Sequence, residues 1–334
     1  MTAGPTWRSM GRSFLAGVHW MKKLRRILVA IADLQHVSGG ALRRAATLAH
    51  ATGARVELFH VVTEAHRESR RSGGRLRDLQ RTPAQSTAAA EKVLQRIARS
   101  KLLAGVRVLT AAVWDKPAYE AVIRRASESG ADLIISGTHS RGLANRLLLR
   151  HTDWELVRHA PIPVLLVKSA RQARKAVVLA AIDPLHANAK PARLDARILD
   201  AANGMAALLK GKVHAFHAYL PMSVALAAGF GEPLIWDSTE ADAYHTRQVV
   251  REFNRALRTT ALPPARRHLR IGDAAGELQE VARRIRATLV VMGAVSRSGL
   301  DRLFIGNTAE RVLDALACDV LVIKPNGFKS PVRR

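Results

Sequence analysis

The second half of the chain repeats the first half at a nearly constant distance. "ADLIISGTHSRG" (131–142) matches "ATLVVMGAVSRS" (287–298), and "HTDWELVRHAPIPVLLVK" (151–168) matches "NTAERVLDALACDVLVIK" (307–324). Both pairs have an offset of 156 residues, which separates Gly137 from Gly293 and Lys168 from Lys324. A fixed offset over a whole half indicates two copies of one structural unit. The 334 residues therefore predict two similar domains, each long enough to bury its own core.

Each half opens with an aliphatic strand that ends in an aspartate, "ILVAIAD" (27–33) and "VVLAAID" (177–183). "VELFHVV" (56–62) likewise matches "VHAFHAY" (213–219). Strands without polar alternation are typical of parallel sheets covered on both faces. Segments such as "GGALRRAATLAHATGA" between them have the period of helices. Each half reads β-α-β-α-β-α-β-β, and right-handed crossovers then predict an α/β fold of two tandem doubly wound, Rossmann-like domains with ligands at the carboxyl ends of the strands.

The domain boundaries follow from the limits of the repeat. We expect an extension over residues 1–21, a first domain over 22–169, a second domain over 170–327 and a tail over 328–334. "MKKLRRILVAI" from Met21 has the features of a start, so the preceding residues are interpreted as unstructured or as a misassigned beginning.

Several classes of function lack their usual signals. No run of 18 apolar residues predicts a membrane-spanning helix, and the single Cys318 excludes an internal disulfide. The cytoplasm is therefore the expected compartment. The sequence has no G-x-S-x-G, H-E-x-x-H or G-x4-G-K-[ST] motif. We therefore expect a protein that acts by binding.

The net charge of +26 would attract anionic partners such as nucleic acid. The basic residues are distributed over both halves, and only 4% of the residues are aromatic, so stacking platforms for single strands are scarce. A solvated arginine-rich surface is the alternative interpretation, and we favour it over a dedicated nucleic-acid site.

The strand-end aspartates, the duplicated glycine loop and the ending "GNTAERVLDALACDVLVIKP" resemble the universal stress protein family, and most closely its tandem, two-domain E-type members. The resemblance extends from Met21 to about Gly327. It implies an adenine nucleotide α-hydrolase-like fold and, in nucleotide-binding members, a loop Gly-x2-Gly-x9-Gly-Ser/Thr between a strand and a helix. It also implies pairing of the last strands, so the halves are expected to form an intramolecular pseudo-dimer.

Carried over to the second half, this loop motif is partly retained. The nucleotide-binding positions are Gly293, Ser296 in place of the middle glycine, Gly306, Asn307 in place of Ser or Thr, and Thr308. Glycines let the backbone approach phosphates, and amides at a helix N-terminus donate to them. Alternatively, Asn307 or Thr308 caps the helix and occupies those donors.

In the first half the same positions are Gly137, Ser140 and then Arg150 where the last glycine should be. A bulky cation there removes the close backbone approach, so this half is interpreted as a degenerate counterpart. Arg150 could still contact a phosphate by its charge.

The resemblance places Asp33 and Asp183 where family members contact adenosine. The alternative is that Asp183, followed by Pro184, only begins a turn. His60 and His217 occupy matching strand ends, where bonding to the backbone is the favoured interpretation and ligand contact the alternative. His214 and His217 should face opposite sides of their strand, which argues against a metal site.

The leading hypothesis is thus a stress-response protein that holds ATP, with or without Mg²⁺, in its second half and signals the bound state to protein partners. Slow ATP hydrolysis is the most that we expect it to catalyse. The alternative is a scaffold or carrier of an apolar ligand that uses the loop at 220–242 with Trp236. Nonspecific binding of nucleic acid is a weaker alternative.

Overall fold

The computed structural model describes residues 24–63, 82–137, 151–169, 175–185, 193–224, 239–294 and 307–333. These residues form one ten-stranded sheet with the strand order β3-β2-β1-β4-β5-β10-β9-β6-β7-β8. Within each half all paired strands are parallel. The predicted α/β class with two doubly wound halves is confirmed.

The described residues of the first half include five strands and four α-helices. Its strands are β1 (Arg26–Ala30), β2 (Arg55–Val62), β3 (Val108–Trp114), β4 (Leu133–Gly137) and β5 (Val164–Val167). Its helices are α1 (Gly39–Thr52), α2 (Pro83–Ala98), α3 (Ala118–Ser129) and α4 (His151–His159).

The second half has the same sequence of elements. Its strands are β6 (Val177–Ala181), β7 (Lys212–Tyr219), β8 (Arg267–Ile271), β9 (Leu289–Gly293) and β10 (Asp319–Ile323). Its helices are α5 (Leu194–Leu208), α6 (Thr239–Ala256), α7 (Ala274–Arg284) and α8 (Asn307–Ala315). The predicted order lacked a helix between the last two strands of each half. The structure corrects this with α4 and α8, because parallel neighbours need a crossover between them.

The sheet is covered by helices on both faces, so its strands are apolar throughout. In β1, Ile27 and Val29 pack into the core on one face, while Leu28 between them packs into the core on the other. Both cores continue across the two halves without interruption. Burial on both faces explains why the strands show no polar alternation.

The two halves join through the antiparallel pairing of β5 with β10, in which Leu165 lies opposite Leu321. Since these strands run in opposite directions, the carboxyl ends of the first-half strands lie at the same edge of the sheet as the amino ends of the second-half strands. Each edge therefore combines unlike ends of the two halves.

Within the residues that the structure describes, none of the helices is long and apolar enough to cross a membrane.

Candidate functional site

The predicted site lies where the chain turns in opposite directions from two neighbouring strands. In the first half this point lies between β1 and β4, and in the second half between β6 and β9. Asp33 follows β1 and Gly137 ends β4, whereas Asp183 follows β6 and Gly293 ends β9. Crevices outside the carboxyl ends of such strands are the usual ligand sites of doubly wound sheets. The strand order therefore places each aspartate and its glycine at the carboxyl ends of two neighbouring strands.

The two strand-end aspartates are not equivalent in the sheet. Leu133 and Leu289 hold the same place in the repeat, and they pair with Ile27 and Val178, respectively. The first strands are therefore related by an offset of 151 residues, one more than the offset between the aspartates. The matching of Asp33 with Asp183 was wrong by one residue.

Ala32 is the residue equivalent to Asp183. The backbone confirms this alignment, because the amides of Ile31 and Ile182 donate to the equivalent carbonyls of Phe59 and Phe216. "IAD" has one more residue between strand and carboxylate than "ID" does, and this extra residue moves the first-half aspartate out into the loop.

The Asp33 carboxylate forms hydrogen bonds within its own turn. Its Oδ1 accepts from the amide of Gln35 at 2.8 Å and from that of His36 at 3.3 Å, while Oδ2 lies 3.2 Å from His36 Nδ1. Burial alone would raise the pKa of the Asp33 carboxyl, but these hydrogen bonds outweigh burial and lower it. Such self-bonded aspartates stabilise turns, so the first-half carboxylate is a turn former.

Asp183 has a different environment. It is half-buried, and its backbone amide donates to Oδ1 of Asp195 at 3.0 Å. Its own carboxylate makes no hydrogen bond or ion pair within the described ranges. A carboxylate placed in this way can accept from a ribose hydroxyl or an adenine amine.

Both glycines allow a helix to pack closely against the strand end. A Cβ on Gly137 would lie 2.3 Å from Cβ of Ser38, the N-cap residue of α1. A Cβ on Gly293 would lie 2.8 Å from Cδ2 of Leu194 and 3.2 Å from Cδ1 of Ile198. Close helix–strand packing is thus a demonstrable role of Gly137 and Gly293.

The helices α1 and α5, which follow β1 and β6, begin differently. Ser38 Oγ accepts from the amide of Ala41 at 3.3 Å, which caps α1 in the usual way. At α5 the N-cap residue, Arg193, makes no side-chain cap and has a left-handed backbone, with φ of 74°. The first turn of α5 instead contributes Asp195, which holds the Asp183 amide.

The end of the first-half crevice next to β4 contains a buried carboxylate. Ser136 donates to Oδ1 of Asp153 at 2.6 Å, and Asp153 is only 4% exposed in the first turn of α4. The residues at the same offset in the second half are Met292 and Ala309, so no carboxylate is present at those two positions.

The remaining predicted positions lie outside what the structure describes. These are Ser140, Arg150, Ser296, Gly306 and Trp236, together with the side chains of Asn307 and Thr308, whose backbone begins α8.

The paired histidines bond to the backbone, as the favoured interpretation had it. Nδ1 of His60 donates to the carbonyl of Ile31 at 2.7 Å, and Nδ1 of His217 donates to that of Ile182 at 3.1 Å. These bonds fix the loop that follows the first strand of each half.

His214 faces the opposite side of β7 from His217. The ring of His217 stacks on Phe253 of α6, whereas that of His214 stacks on His268 of β8. No cluster of three potential metal ligands occurs among the residues that the structure describes.

Sequence reasoning missed Ser38, Ser136, Asp153 and Asp195. Ser38 had a local signal, since a serine directly before a helix-period segment is a typical N-cap. Ser136 and Asp153 had none, because they are 17 residues apart and meet only when α4 folds back on β4.

Comparison with known proteins adds the family. The family model described as the universal stress protein family matches residues 23–168 and 177–324. The chain belongs to the universal stress protein family, with two tandem domains. It is 31% identical over 243 residues to universal stress protein E of Escherichia coli K12, covering 70% of this chain and 74% of that protein. It is 26% identical over 322 residues to universal stress protein E of Photorhabdus laumondii, covering 94% and 99%, respectively.

A solved structure has the same two-domain arrangement. The structure of a functionally unknown protein from Pseudomonas aeruginosa PAO1 superimposes with a TM-score of 0.69 at 28% identity, covering 92% of this chain and 94% of that one. The two chains therefore share their fold over most of their lengths.

Proposed function

We propose that this universal stress protein acts by binding an adenine nucleotide in its second domain, between Asp183 and the loop that begins at Gly293. In this proposal Asp183 accepts from the adenosine, while the backbone around Gly293, Ser296 and Gly306 and the N-terminus of α8 at Asn307 and Thr308 receive the phosphates of ATP. Mg²⁺ accompanies the phosphates where it is bound.

The observation that carries this proposal is the contrast between the two strand-end aspartates. The Asp183 carboxylate has no partner among the described residues, although its backbone is fixed by Asp195. The Asp33 carboxylate is instead occupied by Gln35 and His36. A half-buried acceptor that is held in place but unused is suited to a ligand donor.

The starts of α4 and α8, where phosphates would bind, also favour the second domain. In the first domain a carboxyl group, that of Asp153, occupies the start of α4. Its counterpart in the second domain is Ala309. The second domain is therefore the better host for an anion, and the first domain acts in stability or partner recognition.

The halves function as an intramolecular pseudo-dimer in this proposal, joined through β5 and β10. The bound nucleotide would alter the segment at 220–242, which protein partners read in the cytoplasm. Ser223 and Asp242 fix the two ends of that segment, because the Ser223 hydroxyl donates to Asp242 at 2.6 Å.

Calorimetry with ATP, with and without Mg²⁺, tests the proposal. We expect Asp183→Ala to weaken binding by about tenfold or more, as for the loss of hydrogen bonds to a charged group. Asp33→Ala is the matched control and should bind like the unmodified protein. Gly306→Arg, which copies Arg150 of the first domain, should abolish binding. Equal affinity of Asp183→Ala and the unmodified protein for ATP would refute the site.

A second candidate function is supported by the packing of Gly293. Since Leu194 and Ile198 occupy the space next to this glycine, its retention is explained without a ligand. The chain would then be a scaffold or a carrier of an apolar ligand, with the exposed Leu220 and Val224 at the start of the 220–242 segment as contacts. Organic extraction of the purified protein, followed by mass spectrometry, tests the carrier. Recovery of no lipid-like molecule would count against it.

A further inference from the structure

The amino ends of the second-half strands carry a concentration of basic residues. We call this surface the basic edge and define it by six of them, which precede or begin neighbouring strands: Lys175, Lys210, Lys212, Arg266, Arg284 and Arg286.

The strands β9, β6, β7 and β8 contribute no acidic residue to the basic edge, and Asp319 at the start of the adjacent β10 is buried against Arg44. The segments that form it, residues 175–177, 208–214, 257–268 and 284–289, include neither Asp nor Glu. Five of the six basic side chains belong to exposed residues, and Arg266 is partly buried. None of the six forms an ion pair within the part of the chain that the structure describes. Their charge is therefore not neutralised by neighbouring carboxylates.

The strand order places these residues in a row. β9, β6, β7 and β8 are consecutive neighbours, with Lys212 opposite Val177 and with Leu289 opposite Val178. Adjacent strands are about 4.8 Å apart, so four strands span about 15 Å. A linear array of cations of this length can contact several consecutive phosphates of a polymer.

Two of the basic residues have a backbone conformation that favours glycine. Lys210 and Arg286 follow α5 and α7 with φ of 49° and 53°, in the left-handed region. The equivalent residues of the first half, which follow α1 and α3, are Gly53 and Gly130, with φ of 73° and 62°. Side chains are disfavoured at such positions. The second half thus has cationic side chains at two left-handed positions where the first half has glycine, which adopts this conformation without strain.

The equivalent edge of the first half also has exposed arginines, but acidic residues lie among them. These arginines are Arg25, Arg26, Arg55 and Arg107. Glu128 stands at the position of Arg284, and Asp132 at that of Thr288. Asp132 accepts from the amides of Arg25 and Arg26, at 2.7 and 3.0 Å. The two copies thus differ in whether carboxylates interrupt the cations, so the fold itself does not require an edge without acidic residues. Helix C-termini attract cations, but this accounts only for residues that follow α5 and α7, and not for Lys175, Lys212 or Arg266.

A buried histidine lies within the positive field of this edge. His214 Nδ1 lies 2.8 Å from Nε2 of His268, and its own Nε2 is buried with no hydrogen-bond partner among the described residues. Burial, assisted by the neighbouring His268, Lys212 and Arg266, lowers the pKa of His214 to about 4.

We propose that the basic edge binds the phosphate backbone of double-stranded nucleic acid without sequence preference. A row of point charges fits a regular line of phosphates. The scarcity of aromatic side chains, 4% of the sequence, disfavours the base stacking on which single-strand binders depend. The surface is at the opposite ends of the second-half strands from Asp183, so it is separate from the nucleotide site.

The test is fluorescence anisotropy with a random-sequence DNA duplex of about 20 base pairs over a series of salt concentrations. The principal variant is Lys210→Gly with Arg286→Gly, which copies Gly53 and Gly130. We expect its duplex affinity to fall by about tenfold at low salt, and the slope of log K against log salt to become shallower by about two. Its melting temperature should not fall, because glycine relieves the left-handed strain.

Matched controls separate this surface from general charge. Lys92→Gln with Arg96→Gln removes two exposed cations from α2 and should leave the slope unchanged. Lys175→Gln with Lys212→Gln, at the strand starts, should reproduce the loss. Asp183→Ala should bind the duplex normally, which distinguishes this result from failure of nucleotide binding. Equal losses in the α2 control, an unchanged slope in the glycine variant, or binding to phosphatidylserine vesicles in place of the duplex would overturn the proposal.

Discussion

Lys168 and Lys324, which are related by the repeat, each cap a helix in the opposite half of the molecule. Lys168 follows β5, and its amino group donates to the carbonyls of Leu313 and Leu316 at the end of α8. Lys324 follows β10, and its amino group donates to the carbonyl of Arg158 in α4 at 2.8 Å. These hydrogen bonds satisfy carbonyls at helix C-termini that have no partner within the helix. The exchange of caps couples the two domains beyond the pairing of β5 with β10.

Lys324 should give the protein a measurable pH dependence of stability. Burial lowers its pKa from the ordinary 10.5 to about 7. Between these values the unfolded chain binds a proton that the folded chain does not, so the free energy of unfolding rises with pH. We expect Lys324→Met to lose up to about 2 kcal/mol of the rise between pH 7 and 9, as measured by urea unfolding.

The control for this measurement is Lys329→Met, an exposed lysine in the same segment. Its curve of stability against pH should run parallel to that of the unmodified protein. Parallel curves for Lys324→Met as well would mean that Lys324 is charged in the folded state at neutral pH.

The ion pair between Arg44 and Asp319 should be among the most costly polar interactions to break. Arg44 Nε lies 2.6 Å from Asp319 Oδ2, and both side chains are almost fully buried. Asp319 Oδ1 also accepts from the amides of Lys168 and Ser169. Asp319→Asn leaves the Arg44 charge buried without its counter-ion, so we expect a loss of about 3–5 kcal/mol in chemical unfolding.

An exposed pair provides the comparison for the buried one. Glu280→Gln, which breaks the contact with Arg283, should cost less than about 1 kcal/mol. A similar small cost for Asp319→Asn would show that water reaches the buried pair.

The paired glycines should differ in their tolerance of a methyl group. In Gly137→Ala the new Cβ would lie 2.3 Å from Cβ of Ser38, which is anchored to the backbone of α1. In Gly293→Ala the nearest atom is the flexible end of Leu194, at 2.8 Å. We expect thermal unfolding to show a loss of about 3 kcal/mol for the first substitution and about 1 kcal/mol for the second. The reverse order would contradict this packing account.

Cys318 should be a slow nucleophile in the folded protein. Burial raises the pKa of its thiol to about 11, so the thiolate is scarce at neutral pH. Because it is the single cysteine of the chain, titration with a chromogenic disulfide reports on it alone. We expect reaction at pH 7.5 to be at least tenfold slower before denaturation than after it, and equal rates would indicate an exposed thiolate.

The fold could be predicted because the repeat and the apolar strands carry its information locally. The offset of 156 residues and the uninterrupted runs at β1 and β6 suffice to indicate two doubly wound units. The sequence that forms the helix between β4 and β5 was recognised as part of the repeat, but the predicted element order did not include this helix. Topology required it, because β4 and β5 are parallel neighbours.

The site was harder to predict because it depends on single-residue register. Matching the aspartates by letter gave an offset of 150, whereas the pairing of β1 with β4 and of β6 with β9 requires 151. The contact between Ser136 and Asp153 had no periodic signal either. Differences between two copies of one unit are visible in sequence, but their consequences emerge only when strand pairing fixes which atoms meet.

The antiparallel junction of β5 and β10 gives the molecule two unlike poles. At one pole the crevice that contains Asp183 lies beside the amino ends of the first-half strands. At the other pole the altered first-half crevice, with Asp33 and Gly137, lies on the same side as Lys212 and Arg266. Two free copies of one domain paired through β5 would have identical poles. Because the chain joins two divergent copies, the two ends of the molecule differ, and each end can bind a different kind of partner.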